Sequence, residues 1–178
     1  MIQYRLVERP SFEVIGRKTW IAGQDNSLFG RFWEQCVQNG LLERFTQISG
    51  RQPGAQTNGV TLGISRVEQD PIRREFYYMI AIESPSEIIA APDLESYRVP
   101  ASTWAVFECR GKVPDSIVAS EIYAFTQWLP VSGYAHANAP EMEVYPPSAV
   151  ADGGETYCEF WLPVVRNGQV GVPEPGAN

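Results

Sequence analysis

The chain has 178 residues, of which 44% are hydrophobic and 20% are charged, and its net charge is −7. This composition is typical of one folded domain with a substantial core, and the negative charge argues against a nucleic-acid surface with clustered Lys and Arg. The sequence contains no run of about 20 apolar residues and no signal-peptide profile at its start, so we expect neither a membrane span nor export.

The first half of the chain predicts strands, a helix and further strands. Short apolar runs predict strands at residues 4–7, 12–16, 60–67 and 75–83. Asn26 or Ser27 is placed to cap a helix that ends near Gly40. Its apolar residues recur at helical spacing: Leu28, Phe29, Phe32, Trp33, Cys36 and Val37. A short helical turn is expected at residues 41–45 and a loop at 49–59.

The second half repeats this order of elements. Strands are predicted at residues 97–100, 104–109, 141–145 and 156–164, with a loop at 131–140. A helix is expected from Asp115 to Pro130, with a core face formed by Val118, Ile122, Phe125 and Leu129. Residues 1–166 are therefore predicted to form one α+β domain of two antiparallel halves, about 1–90 and 91–166, with a central cleft. Residues 167–178 are expected to be a disordered tail.

Few residues are available for catalysis with a nucleophile, a metal or a cofactor. His136 is the only histidine and is expected in an exposed loop, and no nucleophile or phosphate-binding motif is present. Three cysteines without C-x-x-C spacing predict buried free thiols in a reducing, cytoplasmic location. We therefore expect no metal and no cofactor.

An acid lies between two large rings in the last predicted strand. Side chains alternate along a strand, so Tyr157, Glu159 and Trp161 share one face. This face suits a flat, apolar and positively charged ligand. The alternative is a structural acid that is bonded to an arginine or to backbone amides.

Equivalent positions in the first half predict an opposing wall. In the strand at 75–83, Tyr77 and Met79 are the counterparts of Tyr157 and Glu159, so the two faces are expected to oppose each other across the cleft. Trp33 is expected in the core more often than at a ligand. Glu143 shares a face with Glu141 and Tyr145, either in a pocket or on an exposed edge strand.

Several ordered motifs resemble those of the GyrI-like small-molecule-binding family, which supplies the effector-binding domain of AraC-type and MerR-type regulators. The motifs are residues 14–16 (VIG), 97–101 (YRVPA), 104–107 (WAVF), 128–134 (WLPVSGY), 143–145 (EVY) and 158–164 (CEFWLPV). The resemblance implies a duplicated β-α-β-β fold around a central ligand cleft. No DNA-binding segment precedes the motifs, so a stand-alone binding module without direct nucleic-acid contacts is expected.

The family resemblance also implies roles for particular residues. It implies that Glu143 is the counter-charge for a lipophilic cation, with Glu159 as a second acid. Rings such as Tyr157 and Tyr77 would line the cleft, and Trp104 stands where a smaller or phenolic residue is common. The predicted ligand-binding set is Glu143, Glu159, Tyr77, Trp104, Tyr157, Trp161, Trp33 and Met79.

Two alternatives to a binding module stay open at this point. Some GyrI-like proteins resemble hydrolases of strained electrophiles such as cyclopropanoids, for which Glu143 and Tyr157 are the candidate catalytic pair. Other family members inhibit DNA gyrase, so a protein-interaction role is also considered. A homodimer is compatible with either reading.

Overall fold

The computed structural model describes residues 1–49, 60–84, 91–146 and 156–168, which form nine strands and the helices that cover one side of them. Most of the predicted loop at 49–59 and of the predicted tail at 167–178 lies outside the described residues, and the first loop residue, Ser49, ends a helix instead. The strands are β1 (Tyr4–Arg9), β2 (Phe12–Ala22), β3 (Thr61–Arg66), β4 (Glu75–Glu83), β5 (Glu95–Val99), β6 (Ser102–Arg110), β7 (Tyr134–His136), β8 (Glu141–Tyr145) and β9 (Tyr157–Arg166). The helices are α1 (Ser27–Gln38), α2 (Leu41–Ser49), α3 (Asp115–Tyr123) and α4 (Leu129–Ser132), and a π-helical segment (Ala124–Trp128) joins α3 to α4.

The α+β prediction is confirmed, and the strands form one antiparallel sheet. Its order is β1-β6-β9-β8-β3-β4-β2-β5, and β7 adds to the end of β9. The pairing of β3 with β8 joins the two halves of the chain at the middle of this order. At the outer ends the halves exchange strands, because β1 pairs with β6 and β5 pairs with β2.

Apolar side chains pack into three cores, two of them on the helix side of the sheet. The first contains α1, α2 and the inward residues of β4, such as Tyr78 and Ile80. The second contains α3 and the inward residues of β6 and β9, such as Phe107 and Phe160. The third lies on the opposite side of the sheet and includes Met79. The central pair β3–β8 therefore runs between the two helix-side cores.

The helix of the second half packs on a different face from the predicted one. Val118, Ile122 and Phe125 are 40%, 56% and 37% exposed. The buried residues are instead Ile117, Ser120, Ala124 and Trp128. Small residues at positions 120 and 124 let the helix approach the sheet closely, and the π-helical segment shifts the register of the residues that follow.

Some local predictions also change. His136 lies in β7 and its side chain is only 11% exposed, so the expected exposed loop is wrong. The three cysteines are free and buried, as predicted. In the described part of the chain, no helix combines the length and apolar character needed to cross a membrane.

Candidate functional site

Glu143 lies at the junction of the two halves with three aromatic side chains around it. Tyr78 of β4 donates a hydrogen bond of 3.1 Å to Glu143 Oε2, and Tyr145 of β8 donates to the same oxygen. Trp33 of α1 donates its indole N–H to the Tyr78 hydroxyl at 2.8 Å. The Trp33 ring also packs edge-to-face against the Tyr145 ring, with centroids 5.3 Å apart. We call Glu143, Tyr78, Tyr145 and Trp33 the seam site.

Strand alternation places these groups on the helix side of the sheet. Glu143 pairs in register with Phe160 of β9, whose ring belongs to the helix-side core. On its other side, Glu143 pairs with Gly63 of β3. A Cβ atom at Gly63 would lie 2.4 Å from the Tyr78 hydroxyl oxygen and 2.9 Å from Glu143 Oε2. The absence of a side chain at residue 63 thus leaves the space in which the tyrosine meets the carboxylate.

The electrostatics of the seam site are set by one acid and its two phenol donors. Burial raises the pKa of Glu143, and the hydrogen bonds from Tyr145 and Tyr78 oppose that rise only in part. Burial and the charge of Glu143 raise the pKa of both tyrosines, so they remain protonated donors. Among the described residues, no Lys or Arg lies within ion-pair distance of Glu143. Two neutral donors hold the carboxylate, and its charge is not compensated by the described protein.

Two further acids lie towards the second half. Glu141 is on the same face of β8 and 12% exposed, and its Oε1 is 3.9 Å from His136 Nε2. His136 Nδ1 accepts the backbone N–H of Asn138, and its ring stacks on Phe125. Glu121 of α3 has a pKa raised to about 8, first by burial and then by the charges of Glu143 and Glu141.

Three of the predicted ligand contacts lie in the third core instead. Met79 and Trp104 are fully buried there, with Trp161 packed beside them. Side chains of β4 and β9 therefore contribute to one packed core, whereas the prediction placed these two faces across a ligand cleft. Tyr77, on the same face of β4 as Met79, is 39% exposed. Lys18 Nζ already lies 4.2 Å from the centre of its ring.

Glu159 is a fully partnered acid on that same side of the sheet. It accepts hydrogen bonds from Arg5 at 2.7 Å, Tyr157 at 2.6 Å and Trp161 at 2.8 Å. Burial acts to raise the pKa of Glu159, but the hydrogen bonds outweigh it and the pKa is lowered. This is the structural alternative that the sequence left open for this acid.

The candidate catalytic pair is separated by the sheet. Glu143 shares a side with Phe160, whereas Tyr157 points to the opposite side, with Glu159. Because strand neighbours alternate, the two side chains cannot act on one substrate.

Of the eight predicted ligand contacts, only Glu143 and Trp33 belong to the seam site; a ligand-binding role for the other six stays a prediction that this geometry does not favour. Sequence reasoning missed Tyr78 and Glu121. Tyr145 was recognised only as a neighbour of Glu143 on its face. The sequence did contain one signal for this site. Glu141 and Glu143 occupy alternate positions of β8 and therefore share a face with Tyr145.

Comparisons with known proteins agree with this architecture. The model of the Cass2 family, described as an integron-associated effector binding protein, matches residues 5–164. The structure of SAV2435 bound to tetraphenylphosphonium is 22% identical, with a TM-score of 0.72 over 92% of this chain and 94% of that one. An integron cassette protein of Vibrio cholerae is 13% identical, with a TM-score of 0.64 over 92% and 97%. The C-terminal domain of EcmrR is 18% identical, with a TM-score of 0.60 over 93% and 99%. At these identities the solved structures show the fold alone, and a comparison with curated proteins finds no match.

Proposed function

Because the chain belongs to the Cass2 family of integron-associated effector binding proteins, we propose that it binds a lipophilic organic cation that carries aromatic groups. Glu143 is the counter-charge in this proposal, and the rings of the seam site are the apolar contacts. The family assignment makes the chain a small-molecule-binding domain with a GyrI-like fold, and the chemistry of the site supports this class of ligand.

The observation that carries the proposal is the state of Glu143. A carboxylate that is shielded from water is costly unless a cation pairs with it. Without that cation the charge stays uncompensated, which is strongly destabilising. Glu143 has two phenol donors but no cation among the described residues, and burial raises its pKa. A bound cation would relieve this cost, whereas a neutral ligand would leave it in place.

The aromatic side chains add the second requirement. A cation over the face of a Trp or Tyr ring gains roughly 0.5–2 kcal/mol, and the rings also bury apolar surface. Trp33 and Tyr145 lie edge-to-face, so they present two differently oriented surfaces near the carboxylate. The tetraphenylphosphonium complex of SAV2435 supports the choice of a bulky aromatic cation as a probe.

The test is calorimetric titration with tetraphenylphosphonium, whose charge does not depend on pH. We expect binding by the unaltered protein, and we expect Glu143→Gln to weaken it about tenfold or more, which is ~1.4 kcal/mol. Because the pKa of Glu143 is raised, the affinity should also fall as the pH is lowered towards that pKa. Neutral triphenylphosphine oxide should bind weakly and without dependence on pH.

Glu159→Gln is the matched control, since Glu159 already has its own cation in Arg5. This variant should bind the phosphonium ion with nearly unchanged affinity once its folded fraction has been measured. The proposal is wrong if Glu143→Gln binds as tightly as the unaltered protein, or if the neutral compound binds equally well.

A further inference from the structure

We infer that the ligand carries a second positive group, which Glu121 of α3 receives while Glu143 holds the first. This inference rests on the function proposed above and narrows it from lipophilic cations to lipophilic dications. Glu121 becomes a specificity-determining residue, because it adds affinity only for ligands with two charges.

A short chain of contacts places Glu121 beside the seam site. Glu143 pairs in register with Phe160, and the Phe160 ring lies 6.3 Å from the ring of Phe125. Glu121 precedes Phe125 by four residues, which is about 6 Å along a helix and on nearly the same side of it. Residue 121 therefore lies about one helical turn from a ring that packs against the strand partner of Glu143, and the charge of Glu143 raises the pKa of Glu121.

Glu121 has no partner of its own in the described part of the chain. It is partly buried, yet no hydrogen bond or ion pair to it is present there. By contrast, Glu141 lies 3.9 Å from His136, and Glu143 has its two tyrosines. A carboxylate that is shielded from water and left without a donor is the group that gains most from an incoming cation.

The number and grouping of these acids suit an organic dication better than a metal ion. A metal ion needs ligand atoms that converge on one point, at 2.0–2.6 Å for Mg²⁺ or Ca²⁺. Within the described residues, no three His, Cys, Asp or Glu side chains are grouped in that way. Separated carboxylates match two charges held apart by a spacer.

The exposed surface of the helix beside Glu121 is apolar, as a lipophilic ligand requires. Val118 and Ile122 of α3 and Phe125 of the π-helical segment lie within about one turn of Glu121 and are 37–56% exposed. Exposed apolar residues are ordinary when scattered singly, but three on one helix beside an unpaired acid form a continuous strip. Alkyl or aryl groups of the ligand would cover this strip.

The experiment compares two ligands of equal length by calorimetry. One is a bis-benzamidinium with an alkylene spacer, and the other has its second amidinium replaced by a neutral amide. We expect the unaltered protein to bind the dication at least tenfold more tightly. Glu121→Gln should remove this preference and leave the affinity for the monocation unchanged, whereas Glu143→Gln should weaken both. Glu34→Gln, on the exposed surface of α1, is the control and should change neither.

Proton release gives a second measurement that needs no variant. The raised pKa of Glu121, about 8, means that most of this carboxyl is protonated at pH 7, with Glu143, Glu141 and Cys109 favouring the proton and Arg74 opposing it. Binding of the dication should therefore release about one more proton than binding of the monocation. Titration in two buffers of different ionisation enthalpy at pH 7 measures the difference.

The outcomes distinguish failure of the dication inference from failure of the proposed function. Equal affinity for the two ligands, or a preference that persists in Glu121→Gln, overturns the inference. If the monocation still binds and still requires Glu143, the proposed function survives. If neither ligand binds, the proposed function fails and the inference falls with it.

Discussion

Gly63 determines how closely Tyr78 can approach Glu143. A Cβ atom at this position would lie 2.4 Å from the tyrosine hydroxyl oxygen, well inside any real contact. The neighbour that must move is the ring of a fully buried tyrosine, and not the free end of a flexible side chain. An added methyl group would therefore break the Tyr78–Glu143 hydrogen bond or push β3 away from β4 and β8.

Gly63→Ala should lower both ligand affinity and stability. Overpacking in a filled region costs about 1–3 kcal/mol, and loss of the tyrosine donor leaves Glu143 poorly oriented. We expect the free energy of unfolding to fall by about that amount and tetraphenylphosphonium to bind about tenfold more weakly. Denaturant unfolding and calorimetry measure the two effects.

Gly30→Ala is the control for this variant. Gly30 lies in α1 with nothing within 4 Å of the added Cβ atom, so the substitution should stabilise the helix by up to about 1 kcal/mol. Binding should not change. An unchanged affinity in Gly63→Ala would show that the close approach at residue 63 is not needed for the site.

The two acids Glu143 and Glu159 show what the sequence could predict at the residue scale. Both acids alternate with apolar residues on a strand, so the sequence pattern identified both as candidate ligand contacts. What separates them is Arg5, which pairs Glu159 from a strand that is distant in sequence. Arg5 reaches this acid because β1 pairs with β6, a pairing that no local pattern encodes.

At the scale of elements, α3 is the helix that the sequence described least well. A strict helical period put Val118, Ile122, Phe125 and Leu129 in the core, as large apolar residues normally are. The structure buries the strip that contains Ser120 and Ala124 instead, because small side chains allow close packing on β6 and β9. Val118, Ile122 and Phe125 are left on the exposed flank near Glu121, whereas Leu129 packs against the core as predicted.

Phe125→Ala tests whether this flank is part of the binding site. Phe125 is 37% exposed, so truncation should lower the free energy of unfolding by only about 1 kcal/mol, well below the 3–5 kcal/mol of a fully buried phenylalanine. Loss of its ring should weaken tetraphenylphosphonium binding about tenfold if the ring contacts the ligand. Val131→Ala, 83% exposed on α4, should change neither quantity. An unaltered affinity in Phe125→Ala would place the ligand away from the π-helical segment.

At the scale of the whole molecule, the element order was predictable and the sheet order was not. Apolar runs and turn residues fix where strands begin and end, so eight of the nine strands were located and only the three-residue β7 was missed. Strand pairing depends on contacts between distant residues. The exchange of β1 and β5 between the halves depends on such distant contacts. The pairing of Gly63 with Glu143 depends on them as well.

The same residue offset relates Met79 to Glu159 and Gly63 to Glu143. In the predicted repeat, Gly63 is then the counterpart of Glu143, and the two meet where the halves join. One half supplies the charge and the other supplies the space for it. An acid at both positions would put two carboxylates side by side with no cation between them, which is unfavourable in a half-buried site.

The exchanged strands make the halves depend on each other. A fragment of residues 1–90 would contain β2 without β5, which pairs with Phe12–Gly16, and would expose Phe12 and Val14 of the third core. A fragment of residues 91–178 would lack β1, whose Arg5 compensates Glu159. We expect each fragment alone to be unfolded or aggregated by circular dichroism and size-exclusion chromatography. Mixing the two during refolding should restore the sheet and phosphonium binding, because each supplies the other's edge strand. A fragment that folds alone with native-like amide protection would contradict this dependence and show that the exchanged strand is dispensable.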